Sequence, residues 1–348
     1  MSTHPNNHSE PAENPAAQLF GMTTAFMQAR AICTAAQFGV ADLINENVHH
    51  IEDMAKRLSV QAEPLYRLMR ALSSIGVFAE KPRKHFILTP MSKALLSDSP
   101  VSLRPCLTMM GDASWWQAWA YLDEAIASGQ STIEKAVGTT FDSYLSQNPD
   151  IMTVFQQCLV SMARVNNPAI LAACDFSRHH IVVDVGGGFG ELLFELLIRY
   201  PQCQGILYDL PHVIQAIDRI PTSINDRCEF FKGDFFESIP AHGDVYILKQ
   251  VLHDWDDERA GLILRNCQKV MTEQDRLLII ETILSETVDP THSIAYFFDV
   301  HMMLTSSGGH ERTVEEFKNL LEVSGLEISR AIPTKSSFAI IECQKMVS

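Results

Sequence analysis

From about His179 onward, short apolar runs alternate with stretches in which apolar residues recur every three or four positions. Ile181–Val185, Gly205–Leu210, Arg227–Lys232, Asp244–Val251 and Arg276–Ile283 read as strands. Between them, Glu191–Tyr200 (ended by Pro201), the segment after Pro211, and Asp257–Met271 read as helices. Such alternation predicts an α/β domain, a mostly parallel sheet with helices on both faces. Leu326–Ile332 and Ser337–Cys343 form a closing hairpin; its turn is too short for a crossover helix, so it adds an antiparallel strand. Ahead of it, Thr313-Val314-Glu315-Glu316 is a capping-box pattern opening a helix near Glu315–Ser324, because Thr313 and Glu316 can satisfy each other's backbone donors.

Residues 16–100 have another rhythm. Ile51, Met54, Ala55 and Leu58 recur at helical spacing, and Leu65, Leu68, Met69 and Leu72 do so on the next helix. Ile75–Ala79 and His85–Thr89 read as a small hairpin around Lys81-Pro82-Arg83-Lys84. That order resembles a winged helix and raises a DNA-binding reading. From Gln37 to Asp98, however, eight Lys or Arg stand against seven Asp or Glu, a net of +1. A DNA reader concentrates basic charge on one face, so dimerisation is the expected role. Residues 101–178 are helical and rich in methionine and aromatics, most of which read as helix–helix core. Phe155 and Met162 are kept as candidates for substrate contact, since such side chains also line adaptable apolar pockets. Residues 1–15, rich in Asn, Pro, His and Glu, read as a disordered tail and not as a signal peptide.

Composition narrows the class. A chain of 348 residues, 46% apolar and 20% charged, suits two globular domains with sizeable cores. With 27 Lys and Arg against 42 Asp and Glu, the net charge of −15 argues against nucleic-acid or anionic-membrane partners, which need clustered cations. No apolar run reaches bilayer-spanning length. The eight cysteines are scattered without a Cys-x-x-Cys pair, which reads as buried thiols in a reducing cytoplasm. His4 and His8 stand four apart only in the expected tail; beyond it, the histidines other than His253 show no His-x-x-x-His or His–carboxylate ligand spacing, so no metal is expected.

The chemistry concentrates at two places. Val182-Val183-Asp184-Val185-Gly186-Gly187-Gly188-Phe189-Gly190-Glu191 turns an apolar strand through glycines into the helical pattern Leu192, Leu193, Leu196, Leu197. Glycines there let a ligand lie on the backbone, because no Cβ stands in the way. A P-loop would need Gly-Lys-Ser/Thr, and a dinucleotide fingerprint would need glycine where Glu191 stands. Asp-x-Gly-x-Gly-x-Gly resembles the turn of class I methyltransferases that bind S-adenosylmethionine. Its companions are Asp209 at the end of the second strand, where a carboxylate can take both ribose hydroxyls, and Asp234 after the third, where one can accept from an adenine amino group. Asp184 could hold the glycine turn. Further on, Leu248-Lys249-Gln250-Val251-Leu252-His253-Asp254-Trp255 delivers a lysine and a titratable histidine to the same sheet edge.

More of the text resembles the plant-type and bacterial small-molecule O-methyltransferases, the caffeate and acetylserotonin methyltransferase-like family. The shared segments are Tyr208-Asp209-Leu210-Pro211-His212-Val213, Gly233-Asp234-Phe235-Phe236, Leu248-Lys249 with Leu252-His253-Asp254-Trp255, and Gly308-Gly309-His310-Glu311-Arg312-Thr313. The resemblance covers nearly everything after the tail. It implies a Rossmann-like methyltransferase domain at 179–348, helices contributing to the substrate pocket at 101–178, and homodimerisation through a winged-helix-like domain at 16–100. It implies S-adenosyl-L-methionine as cofactor and S-adenosyl-L-homocysteine as product. Gly186, Gly188, Gly190, Asp209, Leu210, Asp234, Phe235 and Lys249 would surround the cofactor, with Trp255 near the adenine. His253 would be the general base, flanked by Glu281 and Glu311. Asp254, Met302 and Met303 join Phe155 and Met162 as candidates around a small hydroxylated acceptor, aromatic or polyketide-like.

That chemistry is coherent without the family. A sulfonium methyl is already activated, so the protein must aim an oxygen at it and remove a proton. A phenol near pKa ~10 and an imidazole near ~6.5 make free proton transfer uphill by roughly 5 kcal/mol. Carboxylates beside His253 would raise its pKa and narrow that gap. Decarboxylation, hydroxylation or pericyclic rearrangement on the same fold and cofactor stays open, as do an NAD-dependent oxidoreductase and a winged-helix regulator.

Overall fold

The computed structural model describes residues 14–217 and 219–346. The expected tail falls outside them except for Asn14 and Pro15, where the structure already begins a helix, with Asn14 Oδ1 accepting from Ala16 N at 3.0 Å. The chain divides into two compact units between Gly111 and Asp112.

In the first unit, α1 (Pro15–Phe38), α2 (Val40–Asn45), α3 (Ile51–Leu58) and α4 (Ala62–Ser74) lead into the antiparallel pair β1 (Phe78–Lys81) and β2 (His85–Leu88). Two short helices follow, α5 (Pro90–Lys93) and α6 (Arg104–Met110). The periodic residues Met54, Met69 and Leu72 are wholly buried against Phe78 and Phe86. α1 is different. Only Cys33, Ala35 and Ala36 of it are buried, while Leu19, Phe20, Met22, Phe26 and Met27 are each more than half exposed.

The second unit opens with α7 (Ala113–Ala120), α8 (Leu122–Ser128), α9 (Ile133–Val137), α10 (Phe141–Gln147) and the long α11 (Pro149–Ala173). Strands and helices then alternate: β3 (Ile181–Val185), α12 (Glu191–Arg199), β4 (Gln204–Asp209), α13 (Pro211–Gln215), β5 (Cys228–Lys232), β6 (Val245–Lys249), α14 (Asp257–Val270) and β7 (Arg276–Glu281). A two-residue β8 (Ile283–Leu284) precedes α15 (Ser293–Thr305) and pairs with β9 (Arg312–Thr313). α16 (Val314–Glu322) leads to the closing hairpin of β10 (Leu326–Pro333) and β11 (Ala339–Lys345). The sheet order is β10-β11-β7-β6-β3-β4-β5. β3 to β7 run parallel, and β11 is antiparallel to both of its neighbours.

Alternation along each strand feeds two cores. Val182, Ile247 and Ile280 pack on one side with Leu193 and Leu197; Val183, Leu248 and Ile279 pack on the other with Ile263 and Phe317. Chain order reverses at β3, which lies between β4 and β6. In doubly wound sheets a ligand crevice forms beyond the carboxyl ends of strands at such a reversal. Two expected strands end early. β6 stops at Lys249 because Gln250 takes φ 53° and Leu252–Asp254 forms a 3-10 turn. The segment expected as Arg276–Ile283 divides, so that Glu281 ends β7 and Ile283 pairs with Arg312. All eight cysteines are free and buried, and no described helix is long and apolar enough to cross a membrane.

Candidate active site

The glycine turn follows β3, with Gly186, Gly188 and Gly190 at φ +68°, +58° and +80°. Gly186 N donates to Tyr208 O at 2.8 Å, and Gly188 N to Asp209 Oδ2 at 2.8 Å; Asp209 Oδ1 accepts from Leu210 N at 2.7 Å. Asp209, and not the expected Asp184, thus supplies the carboxylate that bonds the turn. Asp184 lies buried beneath it, where a Cβ on Gly187 would come 2.6 Å from the Asp184 carboxyl carbon. Burial pushes Asp184 up to about 7 against the pull of Lys249. Burial also raises Asp209, against its two backbone hydrogen bonds. A Cβ on Gly186 would meet Val251 Cγ2 at 3.0 Å, whereas one on Gly188 would have nothing within 4 Å. The turn is packed on one side and open on the other.

The neighbouring strand ends complete a cradle. Asp234 Oδ1 accepts from Phe236 N at 2.8 Å. Phe235, Phe236 and Trp255 stand edge to face, with centroids 4.9–6.3 Å apart, and the Arg259 guanidinium lies 4.0 Å over Trp255. Lys249 ends β6 half-buried; burial lowers its pKa while Asp184, Glu281 and Glu195 oppose that shift. Open backbone, a carboxylate with lone pairs to spare and a group of aromatic rings could hold a cofactor bearing a ribose, an adenine and a charged amino-acid tail.

His253 sits in the 3-10 turn after β6. Its Nδ1 donates to Glu311 Oε1 at 3.0 Å and lies 4.0 Å from Glu281 Oε2, while Nε2 is 3.7 Å from Asp254 Oδ1. The imidazole is 14% exposed and the two glutamates 1% and 3%, against 49% for Asp254. Glu281 Oε1 accepts from Val251 N and Leu252 N, both at 3.0 Å, so it fixes the backbone that carries His253. The remaining oxygens, Glu281 Oε2 and Glu311 Oε2, are buried without a hydrogen-bond partner. Burial disfavours the imidazolium, but Glu281, Glu311 and Asp254 together outweigh it and raise His253 to about 10. Burial lifts Glu281 to about 7, opposed by His253. His253, Glu281 and Glu311 also offer donor atoms within 4.8 Å of one another, a group that could hold a metal ion.

Sequence reasoning missed the frame of this cluster. Arg312, 1% exposed, donates from Nη1 to Leu252 O at 2.9 Å, from Nη2 to Trp255 O at 2.8 Å, and from Nε to Asp257 Oδ1 at 3.0 Å. It clamps the segment that carries His253. Asp299 Oδ1 accepts from Glu311 N at 2.9 Å. Gly309 passes so close to the histidine backbone that a Cβ there would lie 2.7 Å from His253 O. The Gly-Gly-His-Glu-Arg-Thr text carries this signal, but of its residues the sequence reading singles out only Glu311 and the helix cap Thr313.

Asp254 apart, the acceptor candidates lie on α11 and α15. Phe155 is edge-on to Phe141 at 5.6 Å, and Met162 sits half-buried two helical turns further along α11. Met302 is 8% exposed, and Met303, like Trp115, Trp119 and Phe141, packs against the small core of Ala118, Ala125, Ile133 and Leu304.

Comparison with known proteins agrees with this arrangement. The O-methyltransferase domain family matches residues 119–327, and the O-methyltransferase dimerisation domain family matches residues 20–98. The chain is 38% identical over 328 residues to a phenazine O-methyltransferase of Lysobacter antibioticus, covering 94% of this chain and 95% of that protein. It is 31% identical over 321 residues to a phenazine-1-carboxylate N-methyltransferase of Pseudomonas aeruginosa, covering 91% and 93%. Among solved structures, an O-methyltransferase from neocarzinostatin biosynthesis, in complex with S-adenosylmethionine and 2-hydroxy-5-methyl naphthoic acid, aligns with a TM-score of 0.79 at 29% identity over 92% of this chain and 96% of that one. Family, fold and relatives agree, and the chain belongs to the S-adenosylmethionine-dependent O-methyltransferases that carry a dimerisation domain ahead of the catalytic one.

Proposed function

We propose that this enzyme methylates a hydroxyl of a small aromatic or polyketide-like acceptor, with His253 as general base and Glu281 and Glu311 orienting it. One observation carries the reading: Nδ1 is tied to Glu311, which leaves Nε2 free for the acceptor. When bound, S-adenosylmethionine supplies a methyl group already activated on a sulfonium. Gly186, Gly188 and Gly190 would give it open backbone, Asp209 and Leu210 would take the ribose, Asp234 and Phe235 the adenine with Trp255 nearby, and Lys249, whose charge acts on buried Asp184, would complete the cofactor's surroundings.

The protein's own work is at the proton. With Nδ1–H pinned, the neutral ring presents a lone pair at Nε2. Raising His253 to about 10 brings it level with a phenol at ~10, so the two oxygen- and nitrogen-bound states of the proton become nearly equal in energy. An acceptor nitrogen with its own lone pair would need no such base, which favours oxygen over the nitrogen methylated by the Pseudomonas relative's named reaction. The imidazolium offsets one carboxylate charge, and burial, by lifting Glu281 to about 7, reduces the other, so the cluster needs no metal in this reading. The matched dimerisation domain and the exposed apolar face of α1 support a homodimer. Eight free thiols support work in the reducing cytoplasm.

The test is His253→Gln, assayed with S-adenosylmethionine and 1-hydroxyphenazine for the methyl ether and S-adenosylhomocysteine formed together. Turnover should fall by about 10²–10⁴ with S-adenosylhomocysteine affinity kept. Undiminished methylation by the variant would remove His253 from the chemistry, and acceptor consumption without S-adenosylhomocysteine would point to the non-methylating alternatives.

A further inference from the structure

α7 and α15 bring a second histidine against two tryptophans. Trp119 Nε1 donates to His301 Nδ1 at 3.1 Å, and the two rings are nearly parallel, at 11° with centroids 6.4 Å apart. Trp115 stands edge-on to His301 at 4.7 Å and Phe298 at 6.3 Å. An indole N–H can only donate, so Nδ1 must present its lone pair and the neutral ring carries its proton on Nε2. Burial keeps the ring neutral, lowering its pKa to about 4. Nε2–H is therefore a fixed donor, and it has no hydrogen-bond partner among the described residues. Trp115 Nε1 is a second donor, buried and also unpartnered. Leaving the buried Trp115 donor unmet is unfavourable unless something else accepts from it, and His301 Nε2–H, on a half-buried ring, is a donor held open beside it.

α10 links this cluster to the His253 turn. Asp254, beside Nε2 of His253, is near enough to Asp142 on α10 for their charges to interact. Phe141, the neighbour of Asp142, packs against the same small core of Ala118, Ala125, Ile133 and Leu304 as Trp115, Trp119 and Met303. The carboxylates of Asp142 and Asp254 make this region unsuited to an anionic group. Neutral donors between flat indole walls suit a planar, uncharged ring with a lone pair of its own.

We infer that His301 Nε2–H, with Trp115 Nε1–H, grips a ring nitrogen or ring carbonyl of the acceptor, so that the enzyme selects planar heteroaromatic or quinone-like phenols over all-carbon ones. His301 is thus a specificity-determining residue of the reaction proposed above, and the inference rests on that reading for turnover but not for binding. The probes are 1-hydroxyphenazine and 1-hydroxyanthracene, which share a shape and differ by nitrogen for C–H. Binding is measured with S-adenosylhomocysteine present, and KM and kcat with S-adenosylmethionine. The native enzyme should prefer the phenazine by about tenfold. His301→Phe should bring the ratio near one, raising KM for hydroxyphenazine more than it lowers kcat, and His301→Gln, which keeps an N–H, should recover part of the preference. Trp115→Phe deletes the other donor and should also reduce the ratio, which keeps the test decisive if His301→Phe does not fold. A native enzyme with no binding preference, or a preference that survives in both donor deletions, overturns the inference. If the native enzyme binds with the preference yet methylates neither probe, the proposed reaction fails and the donor site stands.

Discussion

At His253 the contest between burial and charge decides how the enzyme responds to pH. Burial alone would lower the imidazole pKa, but three carboxylates lift it to about 10. At neutral pH most of the resting enzyme then holds the extra proton, and the productive enzyme–acceptor pair is the one that has lost it. The rate should climb about tenfold per pH unit above neutrality, bending over near the raised pKa. Glu311→Gln removes the acceptor 3.0 Å from Nδ1, so it should move the bend to lower pH and reduce the plateau. Superimposed profiles for the native enzyme and Glu311→Gln would mean that the carboxylate does not act on the base. The linkage runs the same way for stability. A histidine whose folded pKa exceeds its unfolded value contributes fully below about 6.5 and loses that contribution as pH rises through about 10. The Tm advantage of the native protein over His253→Asn should therefore shrink across that window. The same cluster also meets the geometry of a metal site. Dialysis against EDTA should leave turnover unchanged; loss of activity restored by added zinc would make the imidazolium the wrong counter-charge.

At the level of elements, what could be read from sequence was what local pattern dictates. β3 to β7 are apolar runs bounded by glycine, proline or charged residues, and each appears within one residue of its expected place except that β6 and β7 end two residues early. The capping box was legible from four letters: Thr313 N donates to Glu316 Oε2 at 2.8 Å and Glu316 N to Thr313 Oγ1 at 3.2 Å. The misreadings are non-local. Gln250 at φ 53° has no sequence signature, since glutamine rarely takes that conformation. Asp209 bonds a turn 21 residues before it, and Arg312 reaches back some 55 to 60 residues to clamp the His253 turn. Gly309 belongs to the same class, because its reason is a backbone oxygen more than fifty residues away. Gly309→Ala should push that oxygen and displace His253, lowering kcat by about tenfold or more while S-adenosylhomocysteine binds as before. An unchanged kcat would show that the loop moves aside freely.

For the whole molecule, the decisive feature is a helix that does not bury its own apolar face. In α3 and α4 the periodic residues point into the core of their unit, and one chain suffices to explain them. In α1, Leu19, Met22 and Phe26 recur on one stripe with Phe20 and Met27 beside it, all exposed. Sequence alone could not say whether another part of the chain or another chain covers that stripe, because periodicity records only that a face is apolar. The structure leaves it uncovered within the described residues, and the family match assigns residues 20–98 to dimerisation. Large contiguous apolar exposure is rare on stable monomers, and a standard interface buries about 1,600 Å² in total. Phe20→Asp with Phe26→Asp would set two carboxylates into that surface, where desolvation opposes association. The native protein should sediment at twice 38.9 kDa and the double variant at 38.9 kDa, with far-UV circular dichroism preserved. A native monomer at micromolar concentration, or a double variant that still pairs, would place the contact elsewhere on the chain.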